Sequence, residues 1–324
     1  MKYRNLGRTG VKVSPLCLGT MNFGYRTTKA DSITITHSAL DKGINFIDTA
    51  DFYGQPANNG KGQGLTEEIL ADALQDRRER VILATKCVMP TANYPDDPNA
   101  IGTSRRHIIK ACEDSLRRLK TDYIDLYQLH FPMLNIPIDE SLRALDDLVR
   151  DGKVRYIGTS KFPAWLLVES YWVAKEWHLN RFVTEQPKYH LLNREVEKDV
   201  VTVAERYEIA LLPYSPLAGG LLTGKYKRSE DAPSESRLKD EVWGGWAQSF
   251  STENMYDVLD TLEAIANDKE ATIAQIATAW LMHQPQVASV IMGPRTQSQL
   301  DNYLGALDIE IGAEDAQKIS DISK

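Results

Sequence analysis

The sequence predicts an α/β fold of the (β/α)8 class, a TIM barrel, with an N-terminal β-hairpin cap and a long loop after the seventh strand. Three observations lead there. Eight short apolar runs of strand length alternate with longer runs of helical period, from residue 14 almost to the end. The chain has 324 residues, and such a barrel needs roughly 250. No G-x-G-x-x-G follows any of the strand-like runs, as it would in the first strand–helix turn of a doubly wound dinucleotide-binding sheet.

In chain order, residues 1–13 read as a hairpin (KYRNL, a GRTG turn, VKV) able to cap the N-terminal end of a filled barrel. The strand candidates follow: SPLCLG (14–19), INFID (44–48), VILAT (81–85), YIDLYQLH (123–130), VRYIGTS (154–160), FVTEQ (182–186), IALLPYS (209–215) and VASVIMG (287–293). Amphipathic stretches such as DSITITHSALDKG, LTEEILADALQD, RRHIIKACEDSLRRL and IDESLRALDDLVRDGK lie between them. The stretch from Gly219 to about Ser251 is too long for an ordinary connection, and loops of that length are usually functional or mobile. No linker, low-complexity segment or internal repeat divides the chain, so residues 1–324 are expected to form one domain.

Composition narrows the function. With 42% hydrophobic and 26% charged residues the chain reads as globular, and a net charge of −7 argues against nucleic acid as a partner. The start lacks an apolar signal core and no run reaches transmembrane length, so the expected compartment is the cytoplasm, with no membrane partner. Cys17, Cys87 and Cys112 are far apart and form no zinc spacing, so free thiols and no metal are expected. No feature marks an oligomer interface.

In such a barrel, residues at the C-terminal strand ends converge on one site. The second run ends at Asp48 and leads to Tyr53, the third ends at Thr85 and Lys86, and the fourth ends at His130. A phenol has an ordinary pKa near 10, and a neighbouring ammonium favours its ionised form. Asp48 would hold Lys86 charged, and His130 would donate to an oxygen gaining negative charge. This constellation suits hydride delivery to a carbonyl, with Tyr53 giving the proton. Singly, each residue has an ordinary alternative: a turn cap, a surface lysine, a strand-end histidine.

The motifs also resemble those of the aldo-keto reductase family. INFIDTADFYG (44–54) is similar to the segment with the catalytic aspartate and tyrosine, ATKC to the lysine strand, and YIDLYQLHFP to the histidine strand. GRTGVKVSPLCLGTMNFG and YSPLAGGLLTGKY are similar to the N-terminal motif and the seventh-strand loop. The resemblance implies a nicotinamide-dependent carbonyl reductase whose tetrad falls on Asp48, Tyr53, Lys86 and His130. It implies cofactor contacts from Gly19, Thr20, Met21 and Asp48 near the nicotinamide end. Ser160 and Gln186 would hold the carboxamide and Tyr214 would stack on the ring. Ser215, Leu217, Gly219, Leu221 and Lys225 would follow the pyrophosphate, and Gly293, Arg295, Thr296 and Gln299 the adenosine 2′-phosphate end. Arg295 and Thr296 precede the predicted helix SQLDNYLGAL, whose N-terminus favours anions, and so predict NADPH rather than NADH. Two positions depart from the pattern: Lys161 replaces an asparagine in the carboxamide contact, and Tyr303 replaces one facing the adenine, with Asn302 expected to face elsewhere.

GGLLTGKY (219–226) misses a phosphate-binding P-loop by one residue, because Tyr226 replaces the magnesium-binding hydroxyl. Asp48 and Asp51 form the only near carboxylate pair a hydrolase would want. The stronger rival is an NADPH-holding, redox-sensing regulatory subunit with slow turnover, against which the complete tetrad argues. The substrate wall is expected from Asn22, Phe23, Tyr25, Phe52, Met89 and Phe131, with Trp243 and Trp246 flanking two glycines as a lid. Such a wall suits an apolar aldehyde, ketone or hydroxylated ring compound.

Overall fold

The computed structural model describes residues 1–54, 64–90, 97–228, 231–233, 236–239 and 244–324, with backbone only at 237, 246 and 247. Arg4–Asn5 (β1) pairs antiparallel with Lys12–Val13 (β2), giving the hairpin. Eight parallel strands follow: Leu16–Gly19 (β3), Phe46–Asp48 (β4), Ile82–Cys87 (β5), Ile124–Leu129 (β6), Val154–Ser160 (β7), Thr184–Gln186 (β8), Ala210–Leu211 (β9) and Val290–Met292 (β10). Their order is β10-β3-β4-β5-β6-β7-β8-β9. Bridges between Leu211 and Val287 and between Tyr214 and Ile291 join the two ends, so the sheet closes on itself. Each strand lies within its predicted run except β5, which continues to Cys87.

The helices are Lys29–Asp41 (α1), Leu65–Leu74 (α2), Arg105–Leu119 (α3), Ile138–Arg150 (α4), Ala164–Glu176 (α5), Val200–Tyr207 (α6), Gly244–Gln248 (α7), Glu253–Asp268 (α8), Ile273–Met282 (α9), Gln297–Gly305 (α10) and Ala313–Ile322 (α11). Side-chain caps start several of them. The Thr28 and Ser104 hydroxyls accept from the Asp31 and His107 amides, and Thr272 with Gln275 forms a full capping box. No helix among the described residues is long and apolar enough to cross a membrane.

Alternation along the strands divides the molecule into two apolar regions. Leu16, Leu18, Ile47, Leu83, Cys87, Tyr127 and Ile157 face outward into the layer shared with the helices. Cys17, Phe46, Ala84, Leu126 and Leu212 face inward, where Leu6 and Val13 of the hairpin pack against them and close the N-terminal end. Two residues further along, the same inward face carries Gly19, Asp48, Lys86, Gln128 and Gly158. The interior therefore changes from apolar at the hairpin end to polar at the opposite end. Cys17, Cys87 and Cys112 are free and buried.

Gly158 permits the narrowest inward approach, since a Cβ there would meet Thr184 Oγ1 at 2.1 Å. Threonine is stiff at χ1 and cannot swing clear at no cost. Gly158→Ala is expected to destabilise the fold by about 1–3 kcal/mol in urea unfolding. An unchanged midpoint would mean that this layer has slack.

Candidate functional site

A cleft of about 520 Å³ opens at the C-terminal ends of the strands, lined at its floor by Asp48, Tyr53, His130, Ser160 and Gln186. Lys86 lies fully buried beneath it. Its Nζ donates to Asp48 Oδ1 at 2.5 Å, to the Thr49 carbonyl at 2.8 Å and to Tyr53 Oη at 3.4 Å. The other Asp48 oxygen accepts from Gln128 Nε2 at 3.0 Å and Gln186 Nε2 at 2.9 Å. Asp48 is thus bound on both oxygens, and its charge is matched by one ammonium.

The electrostatics follow from this burial. For Lys86, burial alone would lower the pKa, but the Asp48 and Tyr53 charges and hydrogen bonds reverse the balance and raise it. For Tyr53, burial raises the pKa, and the opposing pull of Lys86 does not cancel it. The phenol therefore keeps its proton at neutral pH. Burial, reinforced by Lys86 and Lys161, pushes His130 well below its ordinary value, so its ring is neutral. His130 Nδ1 is buried without a hydrogen-bond partner among the described residues, and the ring centre lies 6.0 Å from that of Tyr53 and 5.2 Å from that of Phe52. A protonated phenol and a neutral imidazole thus share one corner of the cleft.

The cleft is also lined by Gly19, Thr20, Met21, Lys161, Tyr214, Ser215, Leu217, Gly219, Lys225, Gly293, Arg295 and Gln299. After β9 the backbone takes positive φ at Ser215 (55°), Ala218 (47°), Gly219 (70°) and Gly220 (99°). Such turns expose backbone N–H groups on a concave side and suit anions. A Cβ at Gly220 would meet Lys225 Nζ at 3.1 Å, so glycine keeps the cradle open beside that lysine. Thr296 caps α10 by accepting from the Gln299 amide, while the Arg295 amide donates to Gln299 Oε1 at 2.8 Å.

Several expectations need correction. Phe23 is fully buried in the outer apolar layer, because a tight turn bonded to the Thr20 carbonyl directs it inward. Tyr25 is 37% exposed and lies beside Arg26, outside the cleft. Met89, beyond the positive φ of Val88, is half-buried and does not line the cleft. Phe131 follows the inward-facing His130, so alternation carries its ring off the lining; the two ring centres are 6.3 Å apart. The Leu221 side chain is packed in the core and Thr296 is a helix cap, so neither lines the cleft. Asn302 does line it, beside Tyr303. Of the proposed wall, Asn22 and Phe52 reach the cleft. Trp243 and the Trp246 side chain lie outside the described residues.

Asp51 is fully buried and does not reach the cleft; burial and nearby Glu67 push its carboxyl well up. Asp48 and Asp51 therefore do not face a common space as a hydrolytic pair would. Gln128 carries no signal of its own in the sequence, although it is one of the two amides that donate to Asp48 Oδ2. Parity alone points to it, since it stands two residues before His130 on one strand. Arg26, Gly220 and Thr223 also line the cleft and belong to loops with no periodic signal.

Glu185 sits on β8 between the inward-facing Thr184 and Gln186, with Thr159 Oγ1 donating to it at 2.6 Å and the Phe162 amide at 3.2 Å. Burial pushes its carboxyl up to about 8. The folded chain keeps a proton that the unfolded chain releases near 4.5, so this contribution is complete below about pH 4.5 and is lost as pH rises through about 8. Glu185→Gln is expected to flatten the fall in melting temperature across that window. An unaltered slope would show that the carboxyl ionises freely.

The sequence matches the profile of the aldo/keto reductase family over residues 15–324. An uncharacterised oxidoreductase of Bacillus subtilis is 40% identical over 99% of this chain and 96% of its own. A probable voltage-gated potassium channel subunit beta of Oryza sativa subsp. japonica is 33% identical over 95% and 92%. The versiconal hemiacetal acetate reductase of Aspergillus parasiticus is 30% identical over 99% and 96%. With a match of this extent and oxidoreductases among its relatives, the chain belongs to the aldo/keto reductase family and is an NAD(P)H-dependent oxidoreductase of carbonyl and alcohol groups.

Proposed function

We propose that the cleft takes NADPH in preference to NADH and that Tyr53 acts as general acid in reducing an aldehyde or ketone. The observation that carries this reading is the buried series Asp48–Lys86–Tyr53 ending beside a neutral His130, in a cleft that Lys225 and Arg295 also line. The bound nicotinamide would supply the hydride. Tyr53 and His130 hold the substrate oxygen by hydrogen bonds, and the Tyr53 proton passes to that oxygen as negative charge gathers there. Lys86, 3.4 Å from Tyr53 Oη, stabilises the phenolate left behind. Asp48 keeps Lys86 charged and in place.

The lining fits a dinucleotide. Ser160 and Gln186 offer polar groups beneath Tyr214, whose ring forms a flat wall. The cradle of positive φ at Ser215, Gly219 and Gly220, with Leu217 and Lys225, suits a pyrophosphate. Arg295 and the N-terminus of α10, with Gln299, suit an extra phosphate on the adenosine, which NADH lacks. Arg295→Ala is expected to weaken NADPH binding roughly ten- to a hundredfold, the worth of a charge-assisted hydrogen bond of about 1.5–3 kcal/mol, with little effect on NADH. Equal effects on both cofactors in a fluorescence titration would remove Arg295 as the selector. The free, buried thiols fit a cytoplasmic enzyme. Channel beta subunits among the relatives keep a regulatory role as the second reading, and the neutral His130 beside Tyr53 favours turnover.

A further inference from the structure

We propose that Lys161 is a specificity-determining residue that recognises a carboxylate carried by the carbonyl substrate, an inference that rests on the reductase reading above. Lys161 follows β7 directly and takes φ 60°. That left-handed conformation is uncommon for a lysine, and residues held there cluster at functional sites. The Lys161 amide donates to the Gln186 carbonyl at 3.3 Å, which fixes this backbone beside the cleft floor. The side chain lines the cleft with part of its surface open to solvent, while burial of the rest and the nearby Lys86 lower its pKa. Its Nζ lies 5.8 Å from the Tyr214 ring centre and 6.0 Å from that of Phe131, between an aromatic wall of the cleft and the aromatic rim.

Among the described residues, no carboxylate is within ion-pair distance of Lys161. The acid on the adjoining strand, Glu185, is bound to Thr159 and the Phe162 amide; its charge would favour the Lys161 ammonium, but burial pushes its carboxyl up to about 8, so it offers little counter-charge at neutral pH. The other charges of the floor are committed: Lys86 to Asp48, and Asp48 to Lys86, Gln128 and Gln186. His130 feels Lys161 as a like charge and stays neutral. Among the described residues, the carboxylate lining the cleft, Asp48, is paired with Lys86, which leaves the Lys161 ammonium without an ion pair. A negative group entering there gains a charge-assisted hydrogen bond without displacing an existing partner. With Phe52 in the cleft lining, the fitting substrate is an aromatic or apolar carbonyl compound with a carboxylate.

The test compares para-carboxybenzaldehyde with its methyl ester at saturating NADPH, in the wild type and in Lys161→Asn, Lys161→Met and Lys161→Arg. Asparagine tolerates the left-handed conformation, so the first variant keeps the backbone. The acid-to-ester ratio of kcat/KM is expected to fall at least about tenfold in the Asn and Met variants and to be largely kept in Lys161→Arg. High salt should shrink it in the wild type. The ratio cancels any effect of Lys161 on the cofactor. The same ratio from calorimetric binding of both compounds, in the presence of NADP+, decides the matter without turnover. An unchanged ratio in every variant would overturn the assignment. Failure of the wild type to reduce the ester or the acid would instead defeat the reductase reading, with the binding ratio still deciding Lys161.

Discussion

Tyr53→Phe is expected to lower kcat for carbonyl reduction by about 10²- to 10⁴-fold, the usual worth of general acid catalysis, while leaving NADPH affinity and stability nearly unaltered. Among the described residues the hydroxyl accepts one hydrogen bond, from Lys86 at 3.4 Å, which is long, so its loss disturbs little of the packing. The ring's contacts with Phe52 and His130, at centre distances of 5.0 and 6.0 Å, remain available to phenylalanine. A loss of rate with unaltered cofactor binding separates a proton donor from a structural residue. Retention of more than about a tenth of the rate would assign the proton to another group, since a positioned acid is worth far more than that.

Lys86→Met is expected to abolish turnover and also to cost about 3–5 kcal/mol of stability, because it strands a buried carboxylate. Lys86 is fully buried and Asp48 nearly so, and the amides of Gln128 and Gln186 cannot neutralise the remaining charge. Adding Asp48→Asn to the Lys86→Met chain removes the stranded charge, so the double variant should recover much of the stability and none of the rate. Urea unfolding of the two single variants and the pair measures this coupling. A loss below about 1 kcal/mol for Lys86→Met would mean that water reaches Asp48 and screens it as it screens a surface pair.

The strands were legible because alternation is a local property. Phe46 and Asp48, or Ala84 and Lys86, fall on one face whatever the rest of the chain does. The titratable groups at strand ends were legible for the same reason, and the hairpin was legible from its turn. Gln128 was not, since an amide two residues before a histidine looks like any polar strand residue until its acceptor is known. Loop side chains have no period. Phe23, next to the strand-end turn, lies in the core, while Arg26, three residues on, lines the cleft. On α10, Asn302 and Tyr303 both line the cleft, because adjacent residues on a helix that borders a groove can flank the same opening. The effect of burial on Tyr53 was also invisible in the sequence, where Lys86 alone predicted a lowered pKa and not the raised one found.

The tetrad is built to turn over carbonyl compounds and not merely to hold a nicotinamide. The most direct measurement follows the absorbance of excess NADPH mixed with the wild-type protein and an aromatic aldehyde, counting cofactor oxidised per site. Many equivalents oxidised per site, with alcohol formed in equal amount, is the predicted result. Oxidation that stops at one equivalent or less, with the cofactor still bound, would contradict the account and make the protein a holder of the nucleotide.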